Sequence, residues 1–323
     1  MSTLTAPGVS PPLEGREKFQ HPDLTAKGER RAAVSLGRLE TLWLNTGTLC
    51  NIECAHCYIE SSPTNDRLAY LSADEARAFF DEIKRDGLGT DEIGFTGGEP
   101  FMNPDILVML GQALERGFKT LVLTNAMQPM LRLGIKNGLS DLRARFGDRL
   151  AIRVSLDHYT KERHEAERGA GSWDKTLEGM AWLAQEKFHL TVAGRTLWGE
   201  ADAQARAGYQ ALFDREAISV DAQNPDRLIL FPEMDETVDV PEITTDCWDI
   251  LHVDPASVMC ASSRMVVKRR GADRPAVVAC TLLPYDDRFE MGSTLSQARG
   301  PVKLNHPHCA KFCVLGGGAC SAG

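Results

Sequence analysis

Six short β-rich runs, with a helical stretch between each successive pair, occupy residues 39–231 and restrict the fold more than any other feature. The runs are residues 39–46, 91–96, 118–123, 150–156, 188–196 and 227–231. Each is rich in β-formers and short enough to be one strand. The helices between them mark their own ends. Ser72 and Glu75 form a capping box, Ala76, Phe79, Phe80 and Ile83 share one face, and Gly87 stops the helix. Asn103 caps a second helix with Pro104 at its first position, and Ile106, Leu107, Leu110 and Leu114 form its buried stripe. Further helices are expected over 128–146, 173–187 and 201–215. Alternation of this kind demands right-handed crossovers and a parallel sheet, hence an α/β fold. In parallel barrels the working groups stand at the C-terminal ends of the strands.

The chemistry-bearing residues fall at those ends. The first strand runs into Thr48-Leu49-Cys50-Asn51-Ile52-Glu53-Cys54-Ala55-His56-Cys57-Tyr58, with cysteines at C-x3-C-x2-C spacing. Thiolate is the ligand that iron–sulfur clusters and zinc prefer. Three thiolates so close in sequence can close round one face of a cubane and leave its fourth iron open to a ligand. The second strand ends in Gly97-Gly98, where a backbone must approach something closely. The third ends in Thr124-Asn125, the fourth in Ser155 and Asp157, and the fifth in Arg195. The bland alternatives are three unrelated core thiols or a structural zinc site. Zinc wants four ligands, and only His56 lies near to be the fourth.

The cysteine loop together with Phe95-Thr96-Gly97-Gly98-Glu99-Pro100 resembles the paired signatures of radical S-adenosylmethionine (SAM) enzymes. The resemblance implies a partial (β/α)6 TIM-like barrel, in agreement with the strand count. It implies that Cys50, Cys54 and Cys57 hold a [4Fe-4S] cluster whose open iron chelates SAM, with Tyr58 as the aromatic neighbour common in the family. It assigns the Gly97-Gly98-Glu99 turn to the SAM amino group, and Ser155 and Asp157 to the ribose or carboxylate. Asn125 is a weaker candidate, and the Arg195 guanidinium could pair with the carboxylate. The bland alternative for these polar residues is ordinary loop polarity, a helix cap or a surface arginine. The implied reaction is one-electron cleavage of SAM and hydrogen abstraction by a 5′-deoxyadenosyl radical. It needs an external low-potential donor such as a ferredoxin or flavodoxin.

The C-terminal region reads differently. Met265 to Arg270, a turn at 271–275 and Ala276 to Cys280 form a β-hairpin, with Cys260 before it and Cys280 at its end. Cys309, Cys313 and Cys320 follow beside glycines. This region resembles the auxiliary-cluster segment called SPASM or twitch. The resemblance implies one further [4Fe-4S] cluster on Cys260, Cys280, Cys309 and Cys313, with Cys320 as the alternative ligand. Five cysteines fall short of the seven in the full SPASM pattern. A four-thiolate zinc site is the competing reading. Cys247 reads as a core thiol, and His56, His306 and His308 carry no assigned role. The expected division is an arm over 1–37 that can end in a short helix, the barrel over 38–235, a linker over 236–256 and the cysteine-rich region over 257–323.

Nine cysteines in 323 residues, three at 50–57 and six after 246, fit metal ligation in a reducing cytoplasm better than disulfides. No signal peptide is expected, and no apolar run approaches the roughly 18 residues of a membrane helix. A net charge of −9 argues against duplex nucleic acid as the main partner. Only a short segment precedes the first strand, too little for the N-terminal recognition domain common in peptide-modifying relatives. That shifts the expected substrate towards a small molecule, or a peptide delivered by a partner. The competing classes are a non-catalytic iron–sulfur protein for electron transfer or redox sensing, and a zinc-stabilised binding module.

Overall fold

The computed structural model describes residues 17–232, 235 and 237–318. In chain order the elements are β1 (Ala33–Val34), β2 (Thr41–Asn45), α1 (Ala73–Asp86), β3 (Glu92–Thr96), α2 (Ile106–Glu115), β4 (Lys119–Thr124), α3 (Gln128–Leu131), α4 (Leu133–Phe146) and β5 (Leu150–Ser155). There follow α5 (Lys161–Arg168), α6 (Ser172–Gln185), β6 (His189–Arg195), α7 (Asp202–Arg215), β7 (Leu228–Phe231), α8 (Cys247–Leu251), β8 (Ser263–Val267), β9 (Ala276–Val278) and β10 (Val302–Lys303). Strands β2 to β7 lie side by side in chain order, all parallel, inside an eight-stranded sheet ordered β7-β6-β5-β4-β3-β2-β8-β9. Among the described residues no ladder joins β7 to β9, so the curved sheet is a partial barrel.

The six parallel strands are those read from the sequence, and the β8–β9 hairpin pairs Met265 with Val278 as its pattern suggested. The parallel pairing of β8 with β2, from Thr41 opposite Ser263 to Leu44 opposite Val266, carries no local signature in the sequence. It makes the C-terminal hairpin an extension of the barrel sheet, on the flank of the strand that delivers the cysteine loop.

Helix packing covers the outer face. Leu42, Leu44, Phe95, Val122 and Val154 meet Phe80, Ile83, Leu110, Leu114 and Met180 in one core. Inside the barrel, Trp43, Leu121, Met265 and Val278 form a separate cluster. The Trp43 indole has room because its register partner is Gly94. A Cβ there would lie 2.3 Å from the ring. A third cluster gathers Phe19 and Val34 with Ile243, Val258, Cys260, Leu282, Phe289, Cys309 and Phe312. The N-terminal segment is therefore built into the C-terminal core. β1 pairs antiparallel with β10, and the buried Arg31 guanidinium meets Glu242 at 2.5 Å.

Three local expectations differ from the structure. No helix occurs over 17–37, where the chain passes through turns into the short β1 and bonds to distant segments. The single helix expected over 128–146 is broken at Arg132 (ψ 137°), whose guanidinium is held by the carbonyls of Pro129 and Phe101. Helix α5 has no apolar stripe and was invisible to periodicity; it buries His164 and Glu167 instead. Among the described residues no helix is long and apolar enough to cross a membrane.

Candidate functional site

The cysteine loop is held from three sides. At its start, Gly98 N donates to Gly47 O at 2.8 Å and Glu99 N to Leu49 O at 3.2 Å. A Cβ on Gly98 would lie 2.3 Å from Leu49 O, so only glycine allows the turn after β3 to lie against this stretch. At its end, Cys50 N donates to Ser62 O at 3.0 Å, and Tyr285 from the C-terminal region donates its hydroxyl to Ile59 O at 3.0 Å. Between the second and third cysteines, Ala55 N donates to Glu167 O at 2.8 Å.

A cavity of about 160 Å³ lies at the C-terminal ends of the strands. Cys50, Cys54 and Cys57 line it together with Tyr58, Gly97, Gly98, Asn125, Ser155, Asp157 and Arg195. The candidate residues from five strand ends thus share one wall system, with one exception. Glu99 is buried off that wall. Its carboxylate accepts from the Thr124 hydroxyl at 2.8 Å, Asn125 N at 2.9 Å and Phe101 N at 3.2 Å. It ties the end of β3 to the end of β4. Apolar lining comes from Phe231 at the end of β7 and from Leu282 and Phe312 of the C-terminal region.

Burial pushes the Cys50 thiol up to about 12 and also raises Cys54. A metal that binds there must displace a firmly held proton. The donor set suits an iron–sulfur cubane. Among the described residues, no three Cys, His, Asp or Glu side chains close on a single-ion position. His56, the nearby fourth ligand a zinc site would need, directs Nδ1 to Glu167 Oε2 at 2.8 Å.

Sequence reasoning missed two residues at this site. Arg168 lines the cavity and grips Asp157 through two bonds, at 2.8 and 3.1 Å. Burial opposes its charge, but Asp157 and the nearby Cys54 and Cys57 outweigh that and raise its pKa. Glu167, its neighbour, bonds the cysteine loop. Both lie on α5, the helix without an apolar pattern. The only sequence cue was their place soon after the Ser155–Asp157 strand end.

Burial also pushes Glu99 up to about 7 from 4.5, against the pull of the Asn125 and Phe101 amides and the Thr124 hydroxyl. The folded chain then holds this proton more tightly than the unfolded chain. The contribution is whole below about pH 4.5 and is lost as pH rises through about 7, roughly 3 kcal/mol in total. Denaturation from about pH 5 to 8 should show the wild type losing stability relative to Glu99→Gln. A pH-independent difference would refute the shift.

In the second cysteine set, Cys260 and Cys309 are buried, and Cys280 and Cys313 pack against the same core. Burial pushes Cys260 up to about 11 and Cys309 up to about 12, with the adjacent Cys260 adding to the latter. Cys309 and Cys313 lie on one π-helical turn, Cys309–Val314, a form that recurs at functional sites. Cys320 lies outside the described residues. Cys247 accepts from Thr244 N at 3.3 Å and packs at the edge of this core.

A model of the Radical SAM superfamily matches residues 44–226, more than half of the chain. The antilisterial bacteriocin subtilosin biosynthesis protein AlbA of Bacillus subtilis is 32% identical over 145 residues, 45% of this chain and 30% of that protein. The AdoMet-dependent heme synthase of Methanosarcina barkeri is 30% identical over 155 residues, 46% of this chain and 41% of that protein. The match spans less than half the length of either relative. Among solved structures, Streptococcus suis SuiB bound to S-adenosylmethionine superposes with a TM-score of 0.55 at 14% identity, over 80% of this chain and 63% of SuiB. The same protein bound to its precursor peptide SuiA gives 0.51 at 13% identity, over 82% and 66%. These likenesses carry the fold, and the matched family model covers the cysteine loop, the Gly97-Gly98 turn and the strand-end residues as one unit: the chain belongs to the radical SAM superfamily.

Proposed function

We propose that this protein is a radical SAM enzyme whose Cys50, Cys54 and Cys57 hold a [4Fe-4S] cluster. When bound, the cluster and SAM would supply radical hydrogen-abstraction chemistry, given an electron from an external low-potential donor. The observation that carries this reading is the convergence of three thiols, the Gly97-Gly98 turn and the polar ends of β4 to β6 on one cavity.

The chain's own part is binding and orientation. Gly97 and Gly98 bring backbone amides and carbonyls to the wall beside Cys50. Arg168, fixed by Asp157, offers a guanidinium beside Cys54 and Cys57 where the SAM carboxylate would need one, and Arg195 is the second candidate. Asp157 then acts by fixing Arg168, and Ser155 and Asn125 remain as hydroxyl and amide partners. Glu99 acts from behind the wall, aligning β3 with β4. Phe231, Leu282, Phe312 and Tyr58 exclude water and present an apolar face to the substrate.

A second [4Fe-4S] cluster on Cys260, Cys280, Cys309 and Cys313, with Cys320 as the alternative ligand, completes the proposal. Support comes from the single core on which Cys260, Cys280, Cys309 and Cys313 all pack, and from Leu282 and Phe312. These two residues carry the same region's backbone to the cavity. The auxiliary cluster would stand beyond the substrate and aid its oxidation or binding. The substrate is a small molecule or a peptide. AlbA, by its name, and SuiB, by its peptide complex, favour the latter. The heme synthase favours the former.

Anaerobic reconstitution followed by iron and sulfide counting tests the two-cluster reading. About eight irons per chain are expected, and about four would remove the auxiliary cluster. Deuterium transfer from a labelled candidate into 5′-deoxyadenosine would identify the substrate.

A further inference from the structure

Helix α5 ends in Glu165-Ala166-Glu167-Arg168. A carboxylate in the last helical turn works against the helix macrodipole. Glu167 is nonetheless buried, with its side chain 8% exposed. A local rule broken at a buried position calls for a compensating role. The compensation is a set of bonds to the segment between Cys54 and Cys57. The Glu167 carbonyl accepts from Ala55 N at 2.8 Å. Its carboxylate meets His56 Nδ1 at 2.8 and 3.1 Å. Arg195 Nη1 reaches both the Glu167 carboxylate at 3.4 Å and the His56 carbonyl at 3.3 Å. Arg195 N in turn donates to Asp157 O at 3.1 Å. One residue therefore ties the cysteine loop to α5, to the end of β6 and, through it, to the end of β5.

We propose that Glu167 is a positioning residue that sets the orientation of the Cys54–Cys57 half of the loop and places a negative charge beside it. The proposal rests on the reading of this loop as the SAM-cluster site. Backbone and side chain act together. The carbonyl fixes the loop's distance from α5, and the carboxylate fixes its rotation through His56 and Arg195. Residues that orient metal ligands from outside the first shell commonly change affinity by about 10–100-fold when lost.

The test uses reconstituted full-length protein with Glu167→Gln, which keeps the backbone bond and the shape and removes the charge. Glu162→Gln, exposed on the same helix, is the control. Iron content is expected to stay at the wild-type value. SAM binding by equilibrium dialysis is expected to weaken about tenfold. The midpoint potential of the SAM-bound cluster is expected to become more positive, because a nearby negative charge opposes reduction. A merely structural Glu167 would lower the melting temperature and leave the potential unmoved. Wild-type iron with unchanged SAM affinity and potential would overturn the inference. If Glu167→Gln does not fold, His56→Ala, at an exposed side chain, replaces it. A few-fold weaker SAM binding at full iron content supports the proposal, and unchanged binding overturns it. A wild-type chain that takes up no iron would instead contradict the reading of the loop itself.

Discussion

Replacing Cys50 by alanine is expected to remove about four irons from the reconstituted chain and to abolish SAM cleavage. Cys50 is the most buried thiol of the loop, and its backbone is pinned by Ser62 on one side and by the Gly98–Glu99 turn on the other. No other cysteine of the loop can move into its place without breaking those bonds. The drop in activity should exceed about 100-fold, since even residues that only orient a ligand reach that figure. The fold should survive, because a Cys→Ala change in a partly open wall leaves a small cavity. Iron assay, visible absorption and circular dichroism on the same sample separate these effects. Retention of the full iron content would remove Cys50 from the ligand set. The auxiliary cluster should persist in this variant, leaving about four irons.

The second large effect is expected from a single methyl group. In Gly98→Ala the new Cβ would meet Leu49 O at 2.3 Å, Leu49 C at 2.6 Å and Thr48 O at 2.7 Å. These are backbone atoms immediately before Cys50, so no side-chain rotation relieves the contact. Either the loop or the turn after β3 must shift, which breaks the Gly98–Gly47 and Glu99–Leu49 bonds. Overpacking costs about 1–3 kcal/mol and each lost bond about 1 kcal/mol, so a total near 3 kcal/mol is expected. SAM affinity should fall at least about tenfold, since the loop and the turn form adjacent walls of the cavity. Gly117→Ala is the control. It has a positive φ, of 92°, which Gly98 lacks, but meets nothing within 4 Å, and should cost only about 1 kcal/mol. Denaturation and equilibrium dialysis of both variants decide the matter. Equal effects would mean that the close approach to the loop does not set the cost at Gly98.

The sequence carried the barrel because its elements obey local rules. Capping at Ser72, stops at Gly87 and Gly117, and dense β-forming runs mark the strands and most helices without tertiary help, although α2 starts at Ile106 with Asp105, not Asn103, at its N-cap. Strand-end motifs then converge on one rim by topology alone. What was not legible depends on distant partners. β8 joins β2 from more than 200 residues away, and nothing in Ser263–Val267 names that neighbour. α5 is stabilised by a buried His164 against Trp173 and by ion pairs, not by an apolar stripe, so Glu167 and Arg168 escaped notice with it. Arg132 breaks a helix through carbonyls of Pro129 and Phe101, the second far along the chain. Glu99 reads from the sequence as a group facing the cavity and not as a strut, because its bonds depend on where Thr124 and Asn125 place their donors.

The central claim is that this cavity uses a cluster on Cys50, Cys54 and Cys57 to cleave SAM. The most direct measurement is formation of 5′-deoxyadenosine by the anaerobically reconstituted chain, with SAM and a low-potential reductant. 5′-Deoxyadenosine is expected from the wild type and none above background from Cys50→Ala. An iron-loaded wild type that forms none, or a Cys50→Ala chain that forms it at the wild-type rate, would rule out SAM cleavage at this cluster.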